Sequence, residues 1–355
     1  MTSKVTVRTL ALLLLFTLTS CGYRSTPEYQ LEEYEERIST VTGQPLPPAT
    51  VSFPELPPLR ERQYPLPDIR LKALEALNLL ECPRLTQLIA HRNNSLGKQM
   101  QPSQLLDYEK KLIAQLKDCT NYLQQQNKKP ELRTRLEAIL QQKEAALPAA
   151  KWNALLSNTE LPDQLSGFQT LLPLHGDNGR QGTLEALKYL KLYLKDDRFS
   201  PPYDQQSLEV QLQQLTASHY SGQLLAAATA LTNTLNRVSV MLEKSNNTIC
   251  PQGRRSVKIE RLNNVFRLFY VDSIQPYIAR VVSEGRDWRS VMLPLLLELP
   301  PPPDKAMEDY LLAITDCDSA FSVWHQLNRA ILRHAQSWQK VLTECQIQPG
   351  QNPAN

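Results

Sequence analysis

The densest group of side chains able to do chemistry is His91-Arg92-Asn93-Asn94-Ser95-Leu96-Gly97-Lys98, which separates two apolar, helix-patterned stretches. Arg92, Asn93, Asn94, Ser95 and Lys98 would offer convergent hydrogen bonds to an anionic or glycan ligand, and this loop is the candidate ligand site. The same residue types also cap helix ends, and Gly97 turns a chain, so the composition favours a structural turn. A second polar stretch, His175-Gly-Asp-Asn-Gly-Arg-Gln-Gly182, would supply two metal ligands in His175 and Asp177, but its three glycines and one asparagine read as a turn. His325 and His334 are nine residues apart on one helical pattern, so they face opposite sides and cannot share a metal there. His219 beside small Gly222 reads as a helix-packing residue. No Gly-rich phosphate loop, HExxH, CxxC or GxSxG occurs. No cofactor and no metal are expected.

The cysteines carry more information. Residues 1–20 form a basic start with Lys4 and Arg8, an apolar core over residues 10–18, and the small pair Thr19-Ser20 before Cys21. That is the three-part layout of a signal peptide, and its core of about nine residues is too short for a membrane-spanning helix, which needs about 20. Leu18-Thr19-Ser20-Cys21 resembles the lipobox of bacterial lipoproteins, in which the cysteine receives diacylglycerol on sulfur and becomes the new N-terminus. The resemblance implies a lipid bilayer as the first partner, held through acylated Cys21. Gly22 stands where lipoproteins retained in the inner membrane often carry Asp, which implies an outer-membrane anchor facing the periplasm.

Five cysteines then remain in a compartment that permits disulfides. Cys82 and Cys119 flank one helical hairpin and are expected to pair, although their distances from the turn differ by an offset of about 10 Å at 1.5 Å per residue. Cys250, before a helix, and Cys345, at the end of one, form the preferred second pair. Cys317 is left over.

The elements that must position these residues are helical. Hydrophobic residues make up 41% of the chain and charged ones 21%, the balance of a protein with a buried core. Gly is scarce at 11 and Pro abundant at 26, which suits long helices separated by proline breaks. The net charge is +3, and about +1 without Lys4 and Arg8, with no basic run; nucleic acid is excluded as a partner.

Along the chain, a short amphipathic helix over about 28–42 carries Leu31, Tyr34 and Ile38. Its acidic cluster of Glu32, Glu33, Glu35 and Glu36 is expected to be solvated. Residues 45–67 hold eight prolines among regular apolar residues and should run extended along the helical body. A first core helix carries Leu74, Leu77, Leu80, Leu88 and Ile89, interrupted or kinked near Pro83. Further helices follow: one capped by Ser103, one from Pro130 to about 146, one over 183–195, and one long helix over 204–244. Another spans 257–283 and should kink at Pro276. A last helix over 319–345 should align Trp324, Ile331, Ala335, Trp338, Leu342 and Cys345, with Asn328 as the single polar member. The aromatic run Phe266, Phe269, Tyr270, Tyr277 reads as core.

Two motifs carry a family resemblance: Arg92-Asn93-Asn94-Ser95-Leu96-Gly97 followed by Pro102-Ser103-Gln104, and Asn264-Val-Phe266-Arg-Leu-Phe269-Tyr270 followed by Gln275-Pro276-Tyr277. They resemble an uncharacterised family of Gram-negative lipoproteins, a domain of unknown function. Cys82, Cys119, Cys250 and Cys345 fall in that family's order, whereas Cys317 and His91 do not belong to its pattern. The resemblance implies fold kinship and location, and carries no reaction.

The expected architecture is all-α: a signal peptide (1–20), a lipidated N-terminus with short helix and Pro-rich segment (21–67), an array of antiparallel helices stapled by disulfides (68–346), and a disordered tail (347–355). The expected function is that of a binding or scaffolding module of the cell envelope with a protein or glycan partner. The alternative is an enzyme acting on envelope polymers or lipids, with a site assembled from distant helices.

Overall fold

The computed structural model describes residues 25–67, 81–95, 97–195, 204–251 and 257–346. Cys21 and the signal segment, the stretch 74–80 and the tail 347–355 lie outside them. Among the described residues the regular structure is helical, with no strand, as the periodicity predicts.

Helix α1 (Pro27–Thr42) starts where Thr26 Oγ1 accepts a hydrogen bond from the Tyr29 amide at 3.3 Å and Pro27 supplies the first turn. It ends at Gly43, whose φ of 72° is a left-handed conformation that glycine adopts without strain. Leu31, Tyr34 and Ile38 recur at steps of three and four and are buried. The acidic face is not uniformly solvated: Glu35 is buried, accepting from Thr234 Oγ1 at 2.7 Å and paired with Arg237 at 3.1 Å.

The Pro-rich segment is extended apart from one 3-10 turn (Leu59–Glu61) and lies on the helical body. Proline removes backbone donors and bars pairing in a sheet, so two asparagines serve the free backbone groups instead. Asn233 Oδ1 accepts from the Thr50 and Val51 amides at 3.1 and 3.0 Å, while its Nδ2 donates to Val51 O at 2.8 Å. Asn153 repeats this double bond with Tyr64, at 2.9 Å each way. Trp152 Nε1 donates to Arg62 O, and Arg62 Nη1 donates to Leu156 O and Asn158 O, close to the C-terminal end of the helix that carries Trp152.

A hairpin lobe follows, formed by α2 (Pro83–Asn93), α3 (Pro102–Gln125) and α4 (Pro130–Leu156). Pro83 opens α2 at its first turn, so the expected helical pattern is interrupted there. Ser103 does not cap α3: Gln101 holds the cap position, its amide donating to Gln104 Oε1, and buried Ser103 donates to Glu209 Oε1 at 2.9 Å. α4 runs ten residues beyond its expected end and contains Pro148. Leu85, Ile89, Leu112, Leu116, Leu123 and Leu136 fill a small core of their own. Cys82, just outside α2, reaches Cys119 on α3 in a disulfide with Cα atoms 5.7 Å apart, which resolves the expected offset.

The main core is built on α5 (Glu160–Leu165), α6 (Arg180–Lys195), α7 (Gln205–Thr216) and α8 (Tyr220–Ile249). The long helix expected over 204–244 is broken into α7 and α8 at residues 217–219. Buried Gln164 makes the break stable: Nε2 donates to Leu215 O at 2.8 Å and to Ser218 O, and Oε1 accepts from the Ser221 amide. Next come α9 (Val257–Val265), a π-helical segment (Phe266–Ile274) and α10 (Gln275–Leu296). The expected kink at Pro276 is thus an unwound nine-residue stretch. Proline has no amide and would collide with the carbonyl four residues back. The wide register ends with the Gln275 amide on Tyr270 O, and α10 restarts with Pro276 in its first turn. The helices α11 (Lys305–Thr315) and α12 (Val323–Glu344) complete the array, and a second disulfide joins Cys250 to Cys345. Cys317 is a free thiol.

Closing the 37-residue Cys82–Cys119 separation should stabilise the chain by about 3–4 kcal/mol in the chain-entropy account. Cys82→Ser and Cys119→Ser should each lower the denaturation midpoint by a similar amount, with the double variant little worse. Additive losses in urea melts would show that the two thiols are not bonded.

Candidate functional site

The hairpin loop closes on Gly97. The Arg92 guanidinium donates to Gly97 O and lies 6.0 Å from the Tyr108 ring centroid, while Asn94 Oδ1 accepts from the Gly97 amide at 2.7 Å. Arg92, Asn93, Asn94 and Ser95 are thus brought to one turn, with Asn94 and Ser95 exposed; the Lys98 side chain lies outside what the structure describes. Gly97 is required by contact: a Cβ there would sit 2.2 Å from His91 O.

The 175–182 stretch is a helix entry. Asp177 accepts from the Gln181 amide at the start of α6, and Arg180 pairs with Asp287 at 2.6 Å. His219 is not on a packing seam. It is exposed at the start of α8 and stacks on Phe168, with centroids 4.2 Å apart.

The side chains that do converge were separated by the sequence. α12 buries Trp324, Leu327, His334, Trp338 and Val341 along one stripe, whereas Asn328 and Ala335 face solvent. His334, fully buried, is therefore the stripe's polar member in place of Asn328. Its Nε2 lies 2.9 Å from Tyr34 Oη, three hundred residues earlier in the chain, and Trp338 Nε1 donates to the same phenol oxygen at 2.9 Å. Tyr270 and Phe266 of the π segment close the cluster: Tyr270 lies 4.6 Å from the His334 ring and Phe266 4.8 Å from Trp338, centroid to centroid. Arg37 of α1 lies over Phe269 at 5.2 Å. The residues carrying the second family motif thus form the wide turn over this histidine.

Geometry assigns the protons. With Tyr34 donating to Nε2 and accepting from Trp338, the imidazole is the Nδ1–H tautomer, and Nδ1 is the one ring atom without a hydrogen-bond partner. The opposite tautomer would strand both Nδ1 and the phenol proton, so it is disfavoured. Burial pushes the Tyr34 phenol well above its ordinary range and drives the His334 imidazole down to about 3. Among the described residues burial alone, with no facing charge, acts on the ring. Arg333, next to His334 in the chain, pairs with Glu243 at 2.8 Å on the exposed side. The arrangement is a neutral polar joint between α1 and α12, roofed by the π segment. The pattern could have indicated His334 through its step of four to Trp338 and of seven from Leu327.

Two further features bear on function. Among the described residues no cluster of three or more His, Cys, Asp or Glu is arranged to hold a metal ion, and no helix is long and apolar enough to cross a membrane. An open groove of about 560 Å³ runs between the Pro-rich segment and α8.

Compared with known proteins, residues 31–349 match a family described as a protein of unknown function (DUF3080). No curated protein and no solved structure matches the chain.

A neutral buried histidine makes stability depend on pH. As pH falls below about 6.5, the unfolded chain binds a proton that the folded chain refuses until about pH 3. Stability present above that window is lost through it, at up to about 1.4 kcal/mol per pH unit. The melting-temperature advantage of the wild type over His334→Gln should therefore shrink steadily from about pH 6.5 to about pH 4. Parallel profiles would contradict a neutral buried imidazole.

Proposed function

The chain belongs to the DUF3080 family, and from that premise we propose that it is a lipid-anchored binding or scaffolding protein of the outer membrane, its helical body facing the periplasm. One observation carries the reading: Leu18-Thr19-Ser20-Cys21 closes a signal-peptide pattern. The two disulfides support it, since such bonds persist in an oxidising compartment. Gly22 in place of Asp supports the outer membrane over the inner.

The site chemistry favours binding over catalysis. A desolvated histidine is what an enzyme acting on envelope polymers or lipids would bring, but His334 is sealed by Tyr34, Trp338 and Tyr270, and the phenol it bonds is as fully buried as the ring. Arg92, Glu35, Arg180 and Gln164 are all spent on internal bonds. What the body offers outward is shape, with an envelope protein or glycan as its partner.

Growth with an alkyne-tagged fatty acid should label the protein on Cys21, and Cys21→Ser should abolish both the label and sedimentation with outer membranes. A Cys21→Ser protein that still fractionates with the membrane would end the lipid-anchor reading.

A further inference from the structure

The groove beside α8 is built from small residues. Ala226, Thr229, Ala230 and Asn233 fall on one face of the helix at steps of three and four, and the Pro-rich segment crosses that face through Phe53 and Leu56. The opposite wall is Phe168 and Leu171. Gly167 lets the walls meet, because a Cβ there would stand 2.7 Å from the Phe53 ring. The lining is mainly apolar, with Glu55 its one charged residue.

The wall is fixed to the anchored end of the chain. The Leu171 amide donates to Glu28 Oε1 at 2.7 Å, in the first turn of α1. Cys21 lies four residues before Ser25, a reach of at most about 14 Å for an extended chain. A body tethered so closely cannot stand off from the bilayer, and the groove wall meets the tethered helix at Leu171. Phe168 is 37% exposed there, stacked on exposed His219.

We propose that this groove is a second membrane contact: Phe168 and the apolar walls formed with Phe53 and Leu171 take phospholipid acyl chains from the bilayer to which Cys21 is attached. The inference rests on the lipid-anchor reading above. With no cation lining the groove, the contact is apolar, so it depends on neither anionic lipid nor salt. It also orients the body, because a lipid anchor alone leaves rotation free.

The test is a Phe168→Trp reporter in the full-length acylated protein, reconstituted in phosphatidylcholine vesicles with or without brominated acyl chains. The four native tryptophans are buried and give a constant background. The reporter's emission should be blue-shifted and mostly quenched by brominated lipid, equally at low and high salt. Hydrogen exchange of residues 166–171 in the wild type should slow at least several-fold on vesicles relative to soluble Cys21→Ser, which covers the case of a reporter that perturbs the fold. Acylated, vesicle-bound protein with an unquenched reporter and unchanged exchange would overturn the groove contact and leave the anchor standing. An N-terminal peptide of unacylated mass, with no vesicle association, would overturn both.

Discussion

The fold depends on the seating of α1. The helix packs on α8, α9 and the π segment and reaches α12 through Tyr34, and two buried polar contacts fix it: the Tyr34 phenol between His334 and Trp338, and Glu35 between Thr234 and Arg237. Apolar burial of Leu31 and Ile38 drives the docking, while the polar contacts set its register, since a shift of one residue would leave a phenol and a carboxylate unpaired inside. Leaving the buried phenol unpaired costs about 1–3 kcal/mol, a large fraction of the net stability of a domain. The contact joins residues about three hundred apart, so the body is complete only after α12 has formed. Long-range closure of this kind slows folding. It also ties whatever holds the N-terminus directly to the centre of the core.

The same use of polar side chains recurs wherever the helices break. Asn153 and Asn233 supply the backbone partners that the Pro-rich segment lacks, Gln164 bridges the gap between α7 and α8, and Lys110 and Lys151 donate to Tyr193 O and Leu194 O at the end of α6. Each satisfies a backbone group that a helix end or a proline leaves open. Non-helical stretches are thereby tied to the helices, and the groove walls are part of the body.

Much of this was legible in the sequence. Steps of three and four revealed the helices and the buried face of α1, and the cysteines flanking the hairpin and ending the chain found their partners. The misses have physical causes. Periodicity does not register a break that keeps phase, so α7 and α8 read as one helix, although residues 217–219 have left it. The π segment was hidden because Pro276 signals trouble without saying whether the chain kinks or widens. At six residues α5 carries too few turns for a pattern, whereas α11 does bury Met307, Tyr310, Leu311 and Ile314 at helical steps. Asn328 was taken for the polar member of the last stripe because the stripe was drawn one position off, and His334 could not be valued until Tyr34 arrived from the other end of the chain. In the hairpin loop, composition correctly favoured a turn: Arg92 and Asn94 close on Gly97.

The central claim is that α1 belongs to the core and is not a peripheral stalk. Native-state hydrogen exchange measures this directly. Amides of residues 31–38 should exchange only through global unfolding, with the same opening free energy as those of residues 224–238 in α8. Exchange of α1 several orders of magnitude faster than α8, at neutral pH where His334 is uncharged, would contradict the account.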